Sequence, residues 1–311
     1  MLIYLENQTH YRIVAEIETC EDGKTVRQVL KNQWPISGRM MTRLKKENGV
    51  YLNGEWSPFH QPVRAGDRLV LEMEEEACEF EPEFVMFQVL YEDADVLVVN
   101  KPPGLVTHPT IRVREGTLAN GIMVHMKQRK EIYKVRFVNR LDMDTSGVMI
   151  VAKNAFSHHI LVTQMKRMEM TKVYRVFVRG RLERQQGSID APVYRPETIP
   201  EGEPPRRVVD ERGKEARTHF WLEERFFRAS LVRVVIETGR THQIRVHMKH
   251  MGHPVIGDTF YEPDQPMLIP RQALHASAIT FVQPRTGEEI TVKAPFPEDL
   301  ERLYNDLAKE E

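Results

Sequence analysis

The sequence predicts an α+β protein with a small N-terminal domain and a larger second domain. A chain of 311 residues is long enough for both and for a sizeable core. Runs with strand-type alternation, such as residues 171–178, occur beside stretches with helical spacing, such as residues 155–168. A glutamate-rich segment that contains Pro82 separates the two parts. We therefore expect an N-terminal domain at 1–76 with its core at about 22–72, an acidic linker at 77–83, and a second domain at 84–311.

The composition is that of an ordinary globular protein, with 41% hydrophobic and 29% charged residues. No run of eighteen apolar residues occurs, and the first residues lack the pattern of a signal peptide. Cys20 and Cys78 stand far apart and do not have the spacing of metal ligands. We therefore expect a cytoplasmic protein with free thiols and no membrane partner.

Charge is distributed unevenly, although the formal net charge is only -1. Residues 24–46 contain seven basic residues and no acidic one, whereas residues 72–83 contain seven glutamates and no basic residue. Because phosphate binding depends on local charge more than on the sum, the basic segment favours a polyanionic partner.

The N-terminal elements start with an alternating stretch up to residue 20, which indicates a strand. A helical pattern begins at Thr25, and Ser37 is a candidate cap for a second helix. A strand with a hairpin turn follows at 49–54, and a turn with a last strand follows at 63–71. Two short basic helices before a small hairpin resemble the S4-like RNA-binding module. Arg39, Arg43 and Lys46 would then contact phosphates, unless they form only a solvated helix face.

The segment at 138–147 reads Val-Asn-Arg-Leu-Asp-Met-Asp-Thr-Ser-Gly and runs directly into the apolar stretch at 148–152. The apolar stretch predicts a strand buried on both faces, and the polar segment predicts the loop that leads into it. Reactive side chains are often held on such loops, which makes Asp142 a candidate for chemistry. The alternative is a solvated turn with Asp and Ser as turn-forming residues.

The rest of the second domain mixes strands and helices. The patterns predict a hairpin at 84–99, a stiff proline-rich loop after it, a helix at 155–168 and a strand at 171–178. A mobile basic excursion is expected at 184–217. After it, the patterns predict strands at 220–227 and 229–237, a helix capped by Thr241, a strand at 274–281 and a helix at 297–309. Tyr174 lies on one of these strands. Arg245 lies on the buried stripe of the helix after Thr241, where a guanidinium requires a carboxylate.

Three familiar chemistries lack support in this sequence. Asp144-Thr145-Ser146-Gly147 is similar to the Asp-Thr-Gly of aspartic proteases, but the required second segment is missing. The histidines at 247, 250 and 253 are unlikely zinc ligands, because three-residue steps drift around a helix and a Gly-His-Pro segment ends it. Asp142 and Asp144 are too close in one loop to flank a sugar bond from opposite sides. We therefore expect no metal site.

A loop carboxylate, a buried arginine and a strand aromatic remain, together with basic surface on both domains. A single aspartate that is held ionised by an arginine is a nucleophile or a base. With an aromatic face and polyanion binding added, the expected substrate is a nucleobase turned out of its stack.

The segment at 139–147 resembles the catalytic signature of the RluA-type RNA pseudouridine synthases. Further segments similar to that family occur in the family's order at 100–104, 172–174, 213–218, 239–247 and 274–276, so that the resemblance covers roughly residues 84–295. One departure is Asn139, since the family usually has histidine there. An asparagine amide still donates and accepts hydrogen bonds, so we expect activity to persist.

The resemblance implies a catalytic domain with a mixed, largely antiparallel sheet. It also implies isomerisation of uridine in RNA to its C-glycoside, without metal, nucleotide or other cofactor. Asp142 would attack the flipped uridine or assist its detachment at the glycosidic carbon, and a bond of Asp142 to the ribose and one to the base are both open. Tyr174 would stack on the base and is a candidate to move a proton, and Arg245 would hold Asp142 ionised. Arg140 would fill the gap that the flipped base leaves. Other residues of the matching segments are expected to contact the substrate or the RNA: Asn139, Thr145, Lys101, Arg240, His242 and Gln243.

The combination of an S4-like module with such a catalytic domain resembles the enzymes that act on large-subunit ribosomal RNA. A transfer RNA is the alternative substrate. We expect a monomer whose partner is RNA. One rival class is an inactive RNA-binding protein, which Asn139 alone favours. Another is a methyltransferase or deaminase, but the sequence has neither a glycine-rich dinucleotide-type loop nor a His-x-Glu with Cys-x-x-Cys.

Overall fold

The computed structural model describes residues 3–6, 10–32, 34, 36–74, 76, 78, 80–111, 113–197, 206–264 and 268–310. Parts of the expected N-terminal domain (residues 1, 2, 7–9, 33, 35 and 75) and of the expected linker (77 and 79) lie outside the described residues, as do residues 198–205 of the expected excursion. The domain boundaries therefore stay predictions.

The described chain up to residue 74 forms a five-stranded antiparallel sheet with two helices. Its strands are β1 (Ile3–Glu6), β2 (His10–Glu16), β3 (Val50–Leu52), β4 (Glu55–Trp56) and β5 (Arg68–Glu74), and its helices are α1 (Val26–Asn32) and α2 (Gly38–Glu47). The strand order is β1-β2-β5-β3-β4. Ser37 caps α2 by accepting a hydrogen bond from the backbone N–H of Met40, as the sequence predicted.

A second, ten-stranded sheet occupies most of the remaining chain. The further strands are β6 (Gln88–Glu92), β7 (Val96–Lys101), β8 (Arg136–Phe137), β9 (Ser146–Ala152), β10 (Thr171–Arg179), β11 (Gln186–Asp190), β12 (Val193–Tyr194), β13 (Val208–Val209), β14 (Arg217–Arg225), β15 (Ala229–Ile236), β16 (Leu274–Val282) and β17 (Glu289–Lys293). The further helices are α3 (Leu118–Arg129), α4 (Ala155–Lys166), α5 (Gln243–His250) and α6 (Glu298–Ala308). β12 and β13 pair separately from the large sheet.

The large sheet has the order β11-β14-β15-β10-β16-β9-β7-β6, with β17 beside β16 and β8 beside β9. Its pairs are antiparallel except for β9 and β16, which are parallel. The predicted α+β class with a mixed, largely antiparallel sheet is confirmed. No helix in the described part of the chain has both the length and the apolar composition needed to cross a bilayer.

The parallel pair of β9 and β16 positions the predicted catalytic loop. Every residue of β9 is buried, which confirms the strand predicted to be buried on both faces. Gly147 pairs with Ala276 of β16, and Ala276 pairs on its other side with Tyr174 of β10. Gly147 has a φ of +116°, and a Cβ there would lie 2.2 Å from the carbonyl oxygen of Ala276, so only glycine allows this close approach. Tyr174 therefore lies two strands from the end of the loop.

Three local predictions need correction. The hairpin predicted to start at residue 84 starts at β6. The mobile excursion predicted at 184–217 contains edge strand β11, because Ile189 is buried in the core beside the sheet. Thr241 does not cap α5: His242 is the N-cap residue, in the left-handed conformation and without a side-chain capping bond.

Candidate active site

The loop before β9 is held in place by Asn139, which is 7% exposed. Its Oδ1 accepts a hydrogen bond from the backbone N–H of Ile150 at 2.8 Å, and its Nδ2 donates to the carbonyl oxygen of Val148 at 3.2 Å. Both polar atoms of the amide therefore bind the backbone of β9. Asn139 borders the cleft described below, but its position suits a support of the loop more than an RNA contact.

Lys101, at the end of β7, holds the same loop from another side. Its side chain is fully buried, and Nζ donates to the carbonyl oxygens of Pro102, Leu105 and Met143 at 2.8, 3.0 and 2.7 Å. Burial lowers the pKa of Lys101 to about 7, which favours the neutral amine. The three carbonyl acceptors have the opposite effect, because they match the three N–H groups of an ammonium. This position suits a support of the loop and not the predicted RNA contact, because the buried amino group already has three carbonyl partners.

Asp142 and Arg245 meet although 103 residues separate them in the chain. Nη1 of Arg245 donates to Oδ2 of Asp142 at 3.0 Å. The other edge of the guanidinium binds Asp258, with Nε and Nη2 donating to its two carboxylate oxygens at 2.7 and 2.8 Å. The side chain of Asp142 is 29% exposed, whereas that of Arg245 is 5% exposed and that of Asp258 2%. The buried Asp258 thus fixes the guanidinium plane, and Asp142 remains accessible from the cleft.

Asp258 was missed at the level of sequence. The position of Arg245 on a buried stripe predicted one carboxylate partner, for which Asp142 was the candidate, although a buried guanidinium has donors for two partners. The Gly-Asp segment at 257–258, shortly after α5, was the available signal.

His242 lies beside the carboxylate, with Nε2 3.8 Å from Oδ2 of Asp142, which is too long for a hydrogen bond. Its Nδ1 is 2.9 Å from the hydroxyl of Tyr261, and that hydroxyl accepts a hydrogen bond from the backbone N–H of Arg207. Burial raises the pKa of Tyr261 to about 12, so the hydroxyl keeps its proton and donates it to Nδ1. Burial also lowers the pKa of His242, which favours a neutral ring with its proton on Nε2, towards Asp142.

Tyr174, Asp142 and Arg245 line one cleft of about 720 Å³. Six of the other predicted site residues line it as well: Asn139, Arg140, Thr145, Arg240, His242 and Gln243. Tyr174 is 6% exposed. Burial, with a smaller contribution from the negative charge of Asp142, raises the pKa of Tyr174, which keeps its hydroxyl protonated. The cleft therefore combines an accessible carboxylate, a buried guanidinium and an aromatic wall.

The predicted RNA-binding residues around the cleft fall into two groups. Arg140 is exposed, and among the described residues no ion pair or hydrogen bond of its side chain is found. Arg240 is exposed too, with Nε donating to the carbonyl oxygen of Glu215. Gln243 and Thr145 are buried: Gln243 accepts from the N–H of Arg240, and Thr145 is hydrogen-bonded to a neighbouring glutamine. The exposed pair can reach RNA, whereas the buried pair holds the cleft wall.

The three basic residues predicted on the N-terminal helices do not line the cleft. Arg39 and Lys46 are exposed on α2. Arg43 binds the carboxylates of Glu47 at 2.6 Å and Glu76 at 3.1 Å, and it also donates to a backbone carbonyl of β5. Its guanidinium is therefore occupied by partners in the same chain, which leaves Arg39 and Lys46 as the available bases of this set.

The three histidines considered for zinc make separate contacts. His247 is buried between the hydroxyl of Thr218 and the carbonyl oxygen of Ala191, and His253 binds the carbonyl oxygen of Arg179. His250 is exposed at the end of α5. In the ranges that the structure describes, no group of three His, Cys, Asp or Glu side chains is arranged to hold a metal ion.

Comparison with protein families identifies the class of this protein. Residues 95–250 match the family model for RNA pseudouridylate synthase, and residues 14–69 match that for the RluD ribosomal pseudouridine synthase N-terminal domain. The chain belongs to the RNA pseudouridylate synthase family and is an isomerase that acts on RNA. The family resemblance read from the sequence is confirmed.

Several relatives match over most of their length. The chain is 40% identical to the uncharacterized RNA pseudouridine synthase YlyB of Bacillus subtilis, over 90% of this chain and 91% of that protein. It is 38% identical to ribosomal large subunit pseudouridine synthase D of Pseudomonas aeruginosa, over 76% of this chain and 77% of that protein. Among solved structures, human RNA pseudouridylate synthase domain containing 1 matches with a TM-score of 0.56 and 27% identity, covering 70% of this chain and 87% of that one.

Proposed function

We propose that this enzyme converts uridine in RNA to pseudouridine with Asp142 as the catalytic nucleophile. The observation that carries the proposal is the accessible carboxylate of Asp142, held 3.0 Å from a buried guanidinium in a cleft that also contains Tyr174. A carboxylate held in this way is available to attack or to stabilise an electron-poor carbon.

The reaction exchanges one bond to the sugar for another. The C1'–N1 bond breaks, and its electron pair stays with the uracil, while Asp142 bonds to C1' or stabilises its positive charge. The uracil then turns and C5 forms the new bond to C1', which displaces the carboxylate of Asp142 if it had bonded there. The C5 proton is lost to water and N1 takes up a proton. Substrate and product are isomers, so the conversion requires no external oxidant or reductant.

Tyr174 and Arg140 have separate roles in this scheme. The uridine has to leave its stack to reach Asp142, and extrusion costs a few kcal/mol. The ring of Tyr174 provides a new stacking surface in the cleft wall. The exposed Arg140 fills the gap left in the RNA, which offsets part of that cost.

Large-subunit ribosomal RNA is the substrate that we propose, with transfer RNA as the alternative. Relatives named ribosomal large subunit pseudouridine synthase D, from Pseudomonas aeruginosa and Neisseria meningitidis, support this choice, as does the match of the N-terminal residues. Arg39 and Lys46 would bind phosphates in an S4-like manner. We further propose that the enzyme acts as a monomer in the cytoplasm.

RNA tritiated at uridine C5 tests the reaction, because forming the new bond at C5 releases that hydrogen to water. We expect the wild-type protein to release label and the Asp142→Asn variant to release none. Asp144→Asn makes the same chemical change two residues further along the loop, and we expect it to retain release. Label retained on every cellular RNA that is offered to the wild-type protein would contradict the proposed activity and favour an RNA-binding protein.

Mapping pseudouridines in a strain that lacks the protein tests the substrate. We expect modified positions to disappear from large-subunit ribosomal RNA and to return when the wild-type gene, but not the Asp142→Asn gene, is restored. Loss confined to transfer RNA would reject the ribosomal substrate and leave the reaction itself intact.

A further inference from the structure

Lys172 of β10 is a buried lysine whose ammonium group lacks a partner in the protein. Its side chain is 7% exposed, and no hydrogen bond or ion pair of Nζ is found within the described ranges. The other two buried lysines of the described chain are paired: Lys101 with three carbonyl oxygens, and Lys153 with Glu92 and Glu131 at 2.8 and 2.9 Å. Burying an unpaired charge costs free energy, and the other buried lysines avoid this cost through their partners. Lys172 does not.

Lys172 lines the same cleft as Asp142 and Tyr174. Side chains two residues apart on a strand share a face, so Lys172 and Tyr174 project from β10 on the same side at a spacing of roughly 7 Å. Asp142 contributes to the raised pKa of Tyr174, whereas burial is the cause of the lowered pKa of Lys172.

We propose that Lys172 donates a hydrogen bond to a carbonyl oxygen of the uracil in the cleft and stabilises the negative charge that the base acquires. This inference rests on the proposed function. A uracil that stacks on Tyr174 with its ribose at Asp142 would occupy the cleft that Lys172 also lines. On the face of β10 that carries Tyr174, Lys172 is one of the two nearest side chains, at a spacing similar to a pyrimidine ring plus one hydrogen bond.

The charge that Lys172 meets appears during the reaction and not before it. In the bound uridine the carbonyl oxygens are neutral, and they accept a hydrogen bond weakly. When the C1'–N1 bond breaks, its electron pair spreads over N1 and the carbonyl oxygens of the free base. An ammonium without an internal carboxylate then binds the base more strongly than it bound the uridine, which is the condition for accelerating a step.

The test separates reaction rate from RNA affinity. Lys172→Met keeps the length of the side chain and suits a buried position. We expect its single-turnover rate of tritium release to fall about 100-fold, with a dissociation constant for RNA within about threefold of the wild-type value. Lys293→Met, which makes the same change at an exposed position of β17, is the matched control, and its rate should stay at the wild-type level.

A second pair of variants keeps the proposal falsifiable if Lys172→Met folds poorly. Lys172→Arg retains a positive charge, whereas Lys172→Gln is neutral and of similar size, so the arginine variant should retain the greater rate. Equal rates for these two, or a wild-type rate for Lys172→Met, would overturn the proposal. An unchanged rate with weaker RNA binding and a shallower salt dependence would overturn it as well, because Lys172 would then contact a phosphate.

These outcomes are distinguishable from a failure of the proposed function. If the wild-type protein releases no label from any RNA, the isomerase reaction is rejected together with this role of Lys172. If the wild-type protein releases label and the Lys172 variants behave like it, only the role of Lys172 is rejected.

Discussion

At the scale of single residues, the arrangement of Arg245 explains how a loop aspartate is held in place and yet stays accessible. Two nitrogens of the guanidinium bind the buried Asp258, and the third binds Asp142. If Asp142 were the sole partner, the guanidinium could swing with the loop. Two fixed bonds behind it instead determine where the third donor points. Asp258 is therefore a positioning residue for the proposed nucleophile.

Replacing Asp258 by asparagine tests this arrangement. We expect the rate of tritium release to fall about 100-fold, because small displacements of a catalytic group can cost that much. We also expect the free energy of unfolding to drop by about 3–5 kcal/mol, because the buried guanidinium loses an ionic partner. Urea unfolding and single-turnover assays measure the two effects.

Asp299→Asn is the matched control for Asp258→Asn. It removes the carboxylate that binds another buried guanidinium, that of Arg271, at 2.6 and 2.9 Å. We expect a comparable loss of stability with a much smaller loss of rate. Equal rate losses in the two variants would mean that stability alone, and not the orientation of Arg245, controls the reaction.

At the scale of secondary-structure elements, the parallel contact between β9 and β16 joins the catalytic loop to the rest of the sheet. His275 of β16 is fully buried, with Nδ1 2.9 Å from the hydroxyl of Ser146 and Nε2 3.3 Å from the carbonyl oxygen of Ala294. Burial lowers the pKa of His275 to about 4. The folded protein therefore holds this ring neutral at the start of β9.

The buried ring predicts a loss of stability in mild acid. Between the ordinary histidine pKa of about 6.5 and the folded value of about 4, the unfolded chain takes up a proton that the folded chain does not. Stability is therefore lost as pH falls through this window, by roughly 3 kcal/mol from His275 alone. Above pH 6.5 the ring is neutral in both states and contributes no pH dependence.

Urea unfolding at pH 7.5 and at pH 5 measures this effect in the wild-type protein and in His275→Gln. Other buried histidines with lowered pKa values, such as His247, act in the same direction in both proteins. The difference between the two proteins thus isolates the contribution of His275. We expect the variant to lose less stability on acidification. An identical loss would show that the ring at 275 is already protonated in the folded state.

At the scale of the whole molecule, helix α4 extends the hydrophobic core of the N-terminal sheet into the second part of the chain. Phe156 of α4 is fully buried in the cluster formed by the N-terminal sheet and its helices, and Ile160 packs against the same cluster. α4 also packs on β9, the strand that follows the catalytic loop. The basic N-terminal part is therefore tied by apolar contacts to the part that carries the cleft.

Phe156→Ala tests this connection. We expect the free energy of unfolding to fall by about 3–5 kcal/mol, because a large side chain leaves a cavity at the junction. We also expect the N-terminal part to unfold at lower urea concentration than the rest, so that one transition becomes two. Phe227→Ala removes a phenylalanine that is 66% exposed and should have little effect. A single unshifted transition in Phe156→Ala would contradict this connection.

The sequence by itself determined the fold class, most of the elements and the family. Apolar periodicity reports burial directly, which is why β9, α4 and β10 were predicted near their observed positions. The segment at 139–147, which we propose to be catalytic, resembled the family's signature because its residue types, their order and the buried strand after it lie within a few residues of one another.

Only the tertiary structure decided what each side chain meets. Sequence predicts that Arg245 needs a carboxylate, but the register of distant strands decides that Asp258 and Asp142 share it. Lys101 and Lys172 both lie in segments that match the family, yet one is saturated by carbonyl oxygens and the other faces the cleft unpaired. The reason is physical: burial and hydrogen-bond partners come from segments far apart in the chain, and local patterns carry no information about which segments will be neighbours.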